Sequence, residues 1–255
     1  MKYNVLDYHF KKKSFYIKKN FLDKINFNKA IKELYLHYKI TKSLINKKKI
    51  KNDFGGALNF INPKYHEINK IIKIIYNFKE IYRYFKSKFI INSIAAVTLY
   101  PKNKNNYSRS SIWHRDVRYL NIGSDRTDMI LCIIPLTDVT KKNGATKLKH
   151  KLKNGSYKIF QPEANSSDII FVDARTLHKG GVNKTEKERI IITISLTPPH
   201  IKPVLDYSKF LKYYKKKDAY LKQMLGYNSR TPSTLKDFYQ RSIKKRFFLK
   251  DQMKV

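Results

Sequence analysis

Between Ile91 and Pro198 the chain is cut into short β-branched runs by turn residues, and this rhythm limits the possible folds more than any other feature. Arg189-Ile-Ile-Ile-Thr-Ile-Ser-Leu196 is the clearest strand, rich in the residues that suit a pleated surface. Further strands are expected at Ile91–Tyr100, at Thr127–Val139 with an interruption at Pro135, at Tyr157–Phe160 and at Asp168–Asp173. Asn143-Gly144 and Asn154-Gly155 are tight-turn signals between them. Short strands separated by turns predict an α+β, mainly β chain. Its core would be a double-stranded β-helix, a cupin-like jelly roll, whose mouth is the expected ligand cavity.

Both ends read as helical. Asn28–Asn46 carries Ile31, Leu34, Leu36, Tyr38, Ile40 and Leu44 as an approximate apolar stripe. Pro63–Phe85 reads as a second helix, with Ile68, Ile71, Ile72, Ile75 and Tyr76 on one side. Before them, Lys11–Lys19 alternates enough for an edge strand protected by lysine. After Pro198-Pro199, Val204–Leu225 is helical in pattern. Tyr227–Ser233 reads as a linker, and Ser233 as the N-cap of a helix over Leu235–Phe248. At 255 residues the chain fits a single domain, with helical support over 1–90, a jelly-roll core over 91–200 and a helical extension over 201–255.

Within that frame lies Trp113-His114-Arg115-Asp116, followed by His178 and Arg189. Residues two apart on an extended segment point to the same side, so His114 and Asp116 can face one site. With His178 they supply two imidazoles and one carboxylate, the facial triad that holds Fe(II) with open positions. Arg189 could grip a distant carboxylate of a chelating co-substrate in a bidentate fork. Thr193, four residues further on the same strand face, is a candidate for the same ligand, beside ordinary strand packing. Asp125, Asp168 and Asp173 read as turn and strand-end residues, and Cys132, the only cysteine, as a small core hydrophobe.

The segment from about Ile91 to Pro198 resembles the iron- and 2-oxoglutarate-dependent dioxygenases of the phytanoyl-CoA dioxygenase-like family. The resemblance rests on Trp113–Asp116, Ile134–Val139, Lys142–Thr146, Ser167–Val172, His178–Asn183 and Arg189. It implies that His114, Asp116 and His178 bind iron and that Arg189 binds the far carboxylate of 2-oxoglutarate. It also implies consumption of O₂ and 2-oxoglutarate, release of succinate and CO₂, and hydroxylation of a small-molecule or lipid/acyl-type substrate. The carboxylate of Asp116 implies hydroxylation, since the related halogenases have a small residue there. Where family members carry a Pro-Gly-Ser-His loop, this chain has Lys147-Leu-Lys-His150, with His150 the candidate for the loop histidine.

Two other readings compete. A nucleic-acid demethylase on the same barrel would carry a second arginine six residues beyond the first, where this chain has Ser195. A non-catalytic jelly-roll binding protein would have no need of the triad and Arg189 together. The formal net charge of +36 suits anionic partners such as an acyl-CoA, a phosphorylated sugar or an anionic lipid surface. The excess of basic over acidic residues is +16 in 1–90, +9 in 91–200 and +11 in 201–255. The charge therefore reads as dispersed, with Lys215–Lys217 a solvated helix face, and no specific nucleic-acid partner is expected. The N-terminus lacks the apolar core of a signal peptide and no run reaches the length of a membrane helix. A cytoplasmic location is the expectation.

Overall fold

The computed structural model describes residues 4–46, 57–101, 112–117, 126–211, 218–229, 235 and 239. Six α-helices and nine strands are found among them. The strands form two antiparallel sheets, a large one ordered β1-β7-β4-β9-β3-β2 and a small one ordered β6-β5-β8.

The large sheet is built on β9 (Arg189–Thr197), with β3 (Ile90–Leu99) on one side and β4 (Ile130–Pro135) on the other. Strand β7 (Ile169–Asp173) follows β4, β1 (Phe15–Lys18) closes that edge, and β2 (Ala57–Asn59) closes the other. The strand alternation sorts the core into two clusters. Ile190, Ile192, Ile194 and Leu196 of β9, with Ile130, Cys132 and Ile134 of β4, pack beneath the helices. Ile191, Leu131, Ile133, Ile170 and Val172 face the other way and meet Leu148 and Phe160 of the small sheet. The small sheet is β5 (Lys147–Lys151) between β6 (Tyr157–Phe160) and β8 (Leu177–Lys179).

The N-terminal segment departs from the expected edge strand over Lys11–Lys19. Its first part is a helix, α1 (Val5–Lys13), and only Phe15–Lys18 is strand. The Asn4 side chain accepts from the Asp7 N–H as the N-cap, Asp7 lies in the first turn and Lys11–Lys13 in the last, both favourable to the helix dipole. Leu6 and Phe10, four apart, are buried. Ser14 turns the chain at φ 68° into β1, which does lie at the sheet edge.

Helix α2 (Phe27–Asn46) matches expectation in extent and in part of its face, since Ile31 packs against the core as expected. Ala30 and Leu34 are buried, whereas Leu36, Tyr38 and Ile40 are exposed. Positions 36, 38 and 40 recur every second residue, and on a helix that spacing scatters side chains around the axis. The segment 63–85 forms two helices, α3 (His66–Tyr76) and α4 (Lys79–Phe85). The break is at Phe78, in extended conformation, whose ring stacks on Phe171 at 5.3 Å. Strand β4 is also shorter than expected. It ends at Pro135, beyond which the N–H groups of Leu136 and Thr137 turn to the Ile190 carbonyl.

A bulge at Asn92 interrupts the β3–β9 pairing. The Asn92 side chain accepts from the Val204 N–H at 3.4 Å, fastening the chain that leaves β9. Beyond it the expected helix over Val204–Leu225 is replaced by two short ones, α5 (Tyr207–Phe210) and α6 (Ala219–Met224). Lys215–Lys217, Ser233 and most of the expected Leu235–Phe248 helix lie outside the described residues. Among the described residues no helix is long and apolar enough to cross a membrane.

Candidate metal centre

His178 is the middle residue of β8, buried on the face that looks toward the large sheet. His114 lies on a short segment that pairs with it as an isolated antiparallel bridge. Each residue donates its backbone N–H to the other's carbonyl at 2.9 Å. Directly opposed residues in such a pair project to the same side of the sheet, and the two imidazole centroids are 4.3 Å apart. Asp116, two residues after His114, returns to that side. Its Oδ1 is 3.7 Å from Nε2 of His114 and 3.7 Å from Nε2 of His178.

The second ring nitrogens fix the tautomers. His114 Nδ1 lies 2.8 Å from the Ile112 carbonyl, and His178 Nδ1 lies 3.0 Å from the Thr176 carbonyl. A carbonyl only accepts, so each Nδ1 carries the proton. In its neutral form each ring then presents an Nε2 lone pair to the shared centre. Burial, helped by His114, holds His178 below its ordinary pKa against the opposing pull of Asp116 and the Thr176 bond. One ligand atom from each of His114, Asp116 and His178 lies within 4.8 Å of the other two, a group able to hold a metal ion.

Arg189 opens β9 with Ile191, Thr193 and Ser195 on its face of the strand. It is only 2% exposed. Its Nη1 donates to the Gly144 carbonyl, while its Nε is buried with no partner among the described residues. Burial alone pulls its pKa down to about 10. A buried guanidinium without a carboxylate is costly, and its open donors suit a carboxylate ligand. Gly144 in turn packs on the chain just after His178. A Cβ on Gly181 would lie 2.7 Å from the Ala145 carbonyl oxygen and 2.8 Å from Gly144. Glycine is therefore required there for the Asn143-Gly144 turn, whose carbonyl accepts from Arg189, to meet the chain after β8.

The other expected residues have separate settings. Thr193 is half-buried on the Arg189 face, with its hydroxyl 3.4 Å from the Ala95 carbonyl across the β3–β9 pair. Asp168 caps a turn, accepting from Lys19 at 2.7 Å and from the N–H groups of Asn165 and Asn20. Asp173 pairs with Arg175 at 2.8 Å. Asp125 lies outside the described residues. Cys132 is buried in the helix-side cluster. His150 is buried on β5, its Nδ1 2.8 Å from the Ser14 hydroxyl. Neither Ser14 nor the carbonyls of Ile112 and Thr176 carried a sequence signal, because those contacts are set by backbone path.

No protein-family model and no curated protein matches the chain. Solved structures do resemble it. The non-heme alpha ketoglutarate dependent epimerase SnoN from nogalamycin biosynthesis is similar at a TM-score of 0.53 and 13% identity, over 76% of this chain and 82% of SnoN. The carbocyclase SnoK, described in the same terms and from the same biosynthesis, gives 0.53 and 12%, over 82% and 90%. The non-heme monooxygenase ThoJ gives 0.55 and 15%, over 79% and 80%. At such identities the likeness establishes a shared fold, and function has to be argued from the site.

Proposed function

We propose that this chain is an Fe(II)- and 2-oxoglutarate-dependent oxygenase of the phytanoyl-CoA dioxygenase-like kind. It would hydroxylate a small-molecule or lipid/acyl-type substrate and work in the cytoplasm as a single domain. The two sheets facing across a shared apolar cluster are read as its jelly roll, and the site as the mouth of that roll. The observation that carries the reading is the convergence of His114, Asp116 and His178, with both Nδ1 atoms locked as donors to backbone carbonyls. Two neutral imidazoles and one carboxylate are the donor set that suits non-heme Fe(II).

The residues present fit both groups. His114, Asp116 and His178 would hold the metal. Arg189, with an orphaned buried Nε, would hold the far carboxylate of 2-oxoglutarate. Thr193 is the next polar side chain along that face. The loaded centre supplies oxidation of a substrate C–H bond, with O₂ and 2-oxoglutarate converted to succinate and CO₂. The chain's own residues bind and orient. The Ile112 and Thr176 carbonyls keep both imidazoles in the ligating tautomer, as hydrogen bonds behind metal ligands generally do. The apolar cluster of Leu131, Ile133, Leu148, Ile170 and Ile191 keeps water from the interior behind them. SnoN and SnoK are titled epimerase and carbocyclase, so the fold accommodates more than one outcome. The carboxylate at Asp116 supports hydroxylation here.

The test is anaerobic titration with Fe(II) and 2-oxoglutarate, followed by a screen for substrates that stimulate succinate release. Binding of both with stimulated release supports the reading. Failure to bind either removes it.

A further inference from the structure

The strands that carry His114 and His178 inward carry a different set of side chains outward. The register places Lys147 opposite Lys179, and Lys149 between Ile159 and Leu177. It also places Lys151 opposite Tyr157. The His114–His178 bridge extends this grid by one more segment, so Trp113 and Arg115 fall on the same outer face. Five cations, Lys147, Lys149, Lys151, Lys179 and Arg115, therefore share one small sheet with no acidic residue among its outward positions. None of the five is ion-paired among the described residues.

Lys147 and Lys179 are a like-charge pair directly opposed across two strands, an arrangement that destabilises a sheet. The ammonium groups of Lys149 and Lys179 rest over the Trp113 ring, at 4.8 and 5.0 Å from its centroid. Around them stand exposed apolar side chains. Ile159 is 55% exposed and Tyr157 49%. The modest excess of +9 over residues 91–200 averages the two faces of each strand, and these cations lie on one of them.

We propose that this face docks on a bilayer surface containing anionic lipid. Clustered lysines gain from phosphate and carboxylate headgroups. Tryptophan and tyrosine settle at the interface, and exposed aliphatic side chains bury themselves at the headgroup and acyl boundary. The same pattern fits single-stranded nucleic acid less well. Base stacking needs a free ring face, whereas two ammonium groups already sit over the Trp113 ring, and Ile159 gains nothing from a phosphodiester chain. Docking here would set the bilayer against the small sheet on the face opposite the one that bears His114 and His178. The proposal deepens the lipid or acyl reading of the substrate by saying where it is met. Its test reads binding alone, so it fails or stands apart from turnover.

Trp113 is the single tryptophan, so its fluorescence reports on this face. The full chain is mixed at physiological ionic strength with vesicles of phosphatidylcholine alone or of phosphatidylcholine with phosphatidylserine. Expected are binding to the mixed vesicles only, a blue shift of Trp113 emission, and quenching by lipids brominated in the acyl chain. The triple variant Lys147→Gln, Lys149→Gln, Lys151→Gln should lose at least about tenfold in binding. The equally charged control Lys29→Gln, Lys32→Gln, Lys39→Gln, on the exposed side of α2, should keep it. Should the β5 variant not fold, Ile159→Asn on the exposed edge strand should still weaken the quenching. Equal loss in both triple variants would make the binding a mere effect of net charge and overturn the proposal. Absence of vesicle binding, or β5-dependent binding of a single-stranded oligonucleotide in place of vesicles, would overturn it equally.

Discussion

His114 and His178 exchange both backbone hydrogen bonds, each at 2.9 Å, and the same pairing sets their rings 4.3 Å apart. The convergence of the two imidazoles is thus a property of strand register rather than of side-chain choice alone. A slip of one residue would turn His178 outward and Lys179 inward. The two residues behind the rings, Ile112 and Thr176, contribute through their carbonyls, so substitution of either side chain should leave the tautomers unchanged.

Arg189 offers a test in which two readouts should separate. Replacing it with methionine removes a buried cation that has no carboxylate partner among the described residues, so the melting temperature of the unliganded protein should hardly fall. The same change should raise the 2-oxoglutarate requirement at least tenfold, since a charge-assisted bidentate pair is worth about 1.5–3 kcal/mol. Fe(II) binding should survive. Unchanged 2-oxoglutarate affinity would remove Arg189 from the site.

Gly181→Ala tests the contact between the Asn143-Gly144 turn and the end of β8. The new Cβ would meet backbone at 2.7 and 2.8 Å, and backbone cannot yield as a flexible side chain does. A loss of about 1–3 kcal/mol of stability is expected, the usual range for overpacking. Because the Gly144 carbonyl accepts from Arg189, 2-oxoglutarate binding should weaken more than Fe(II) binding. A melting curve and the two titrations check this.

Asp168 gives the expected acid response. Burial raises its pKa, but the Lys19 ammonium and the N–H groups of Asn165 and Asn20 outweigh that and leave it below the ordinary 3.8. A carboxylate depressed on folding stabilises the protein above its unfolded pKa. That contribution is lost as pH falls through the folded value, so it should fade below about pH 3.8. Asp168→Asn should destabilise the protein at neutral pH and flatten this acid limb in pH-dependent melting curves. An acid limb unchanged in the variant would refute the assignment.

Much of the architecture was readable from pattern. Strands β6 and β9 run over Tyr157–Phe160 and Arg189–Thr197 as their β-branched content and flanking turns indicate. The convergence of His114, Asp116 and His178 was readable because these residues are chemically distinctive and spaced for strand ends. The misreadings share a physical cause, tertiary contact overriding local pattern. Lys11–Lys13 alternate with nothing and close a helix whose Leu6 and Phe10 are buried. Helices α3 and α4 separate where Phe78 leaves the axis to stack on Phe171. The cationic outer face of the small sheet needed the register of three strands, which no single segment displays.

The central claim is that His114, Asp116 and His178 form one Fe(II) site, and anaerobic calorimetric titration with Fe(II) tests it most directly. Wild-type protein should bind a single equivalent. Asp116→Ala should weaken that binding well beyond the roughly 10–100-fold typical of losing a group behind the ligands, with its melting curve preserved. Equal Fe(II) affinity in the wild type and the variant would contradict the account.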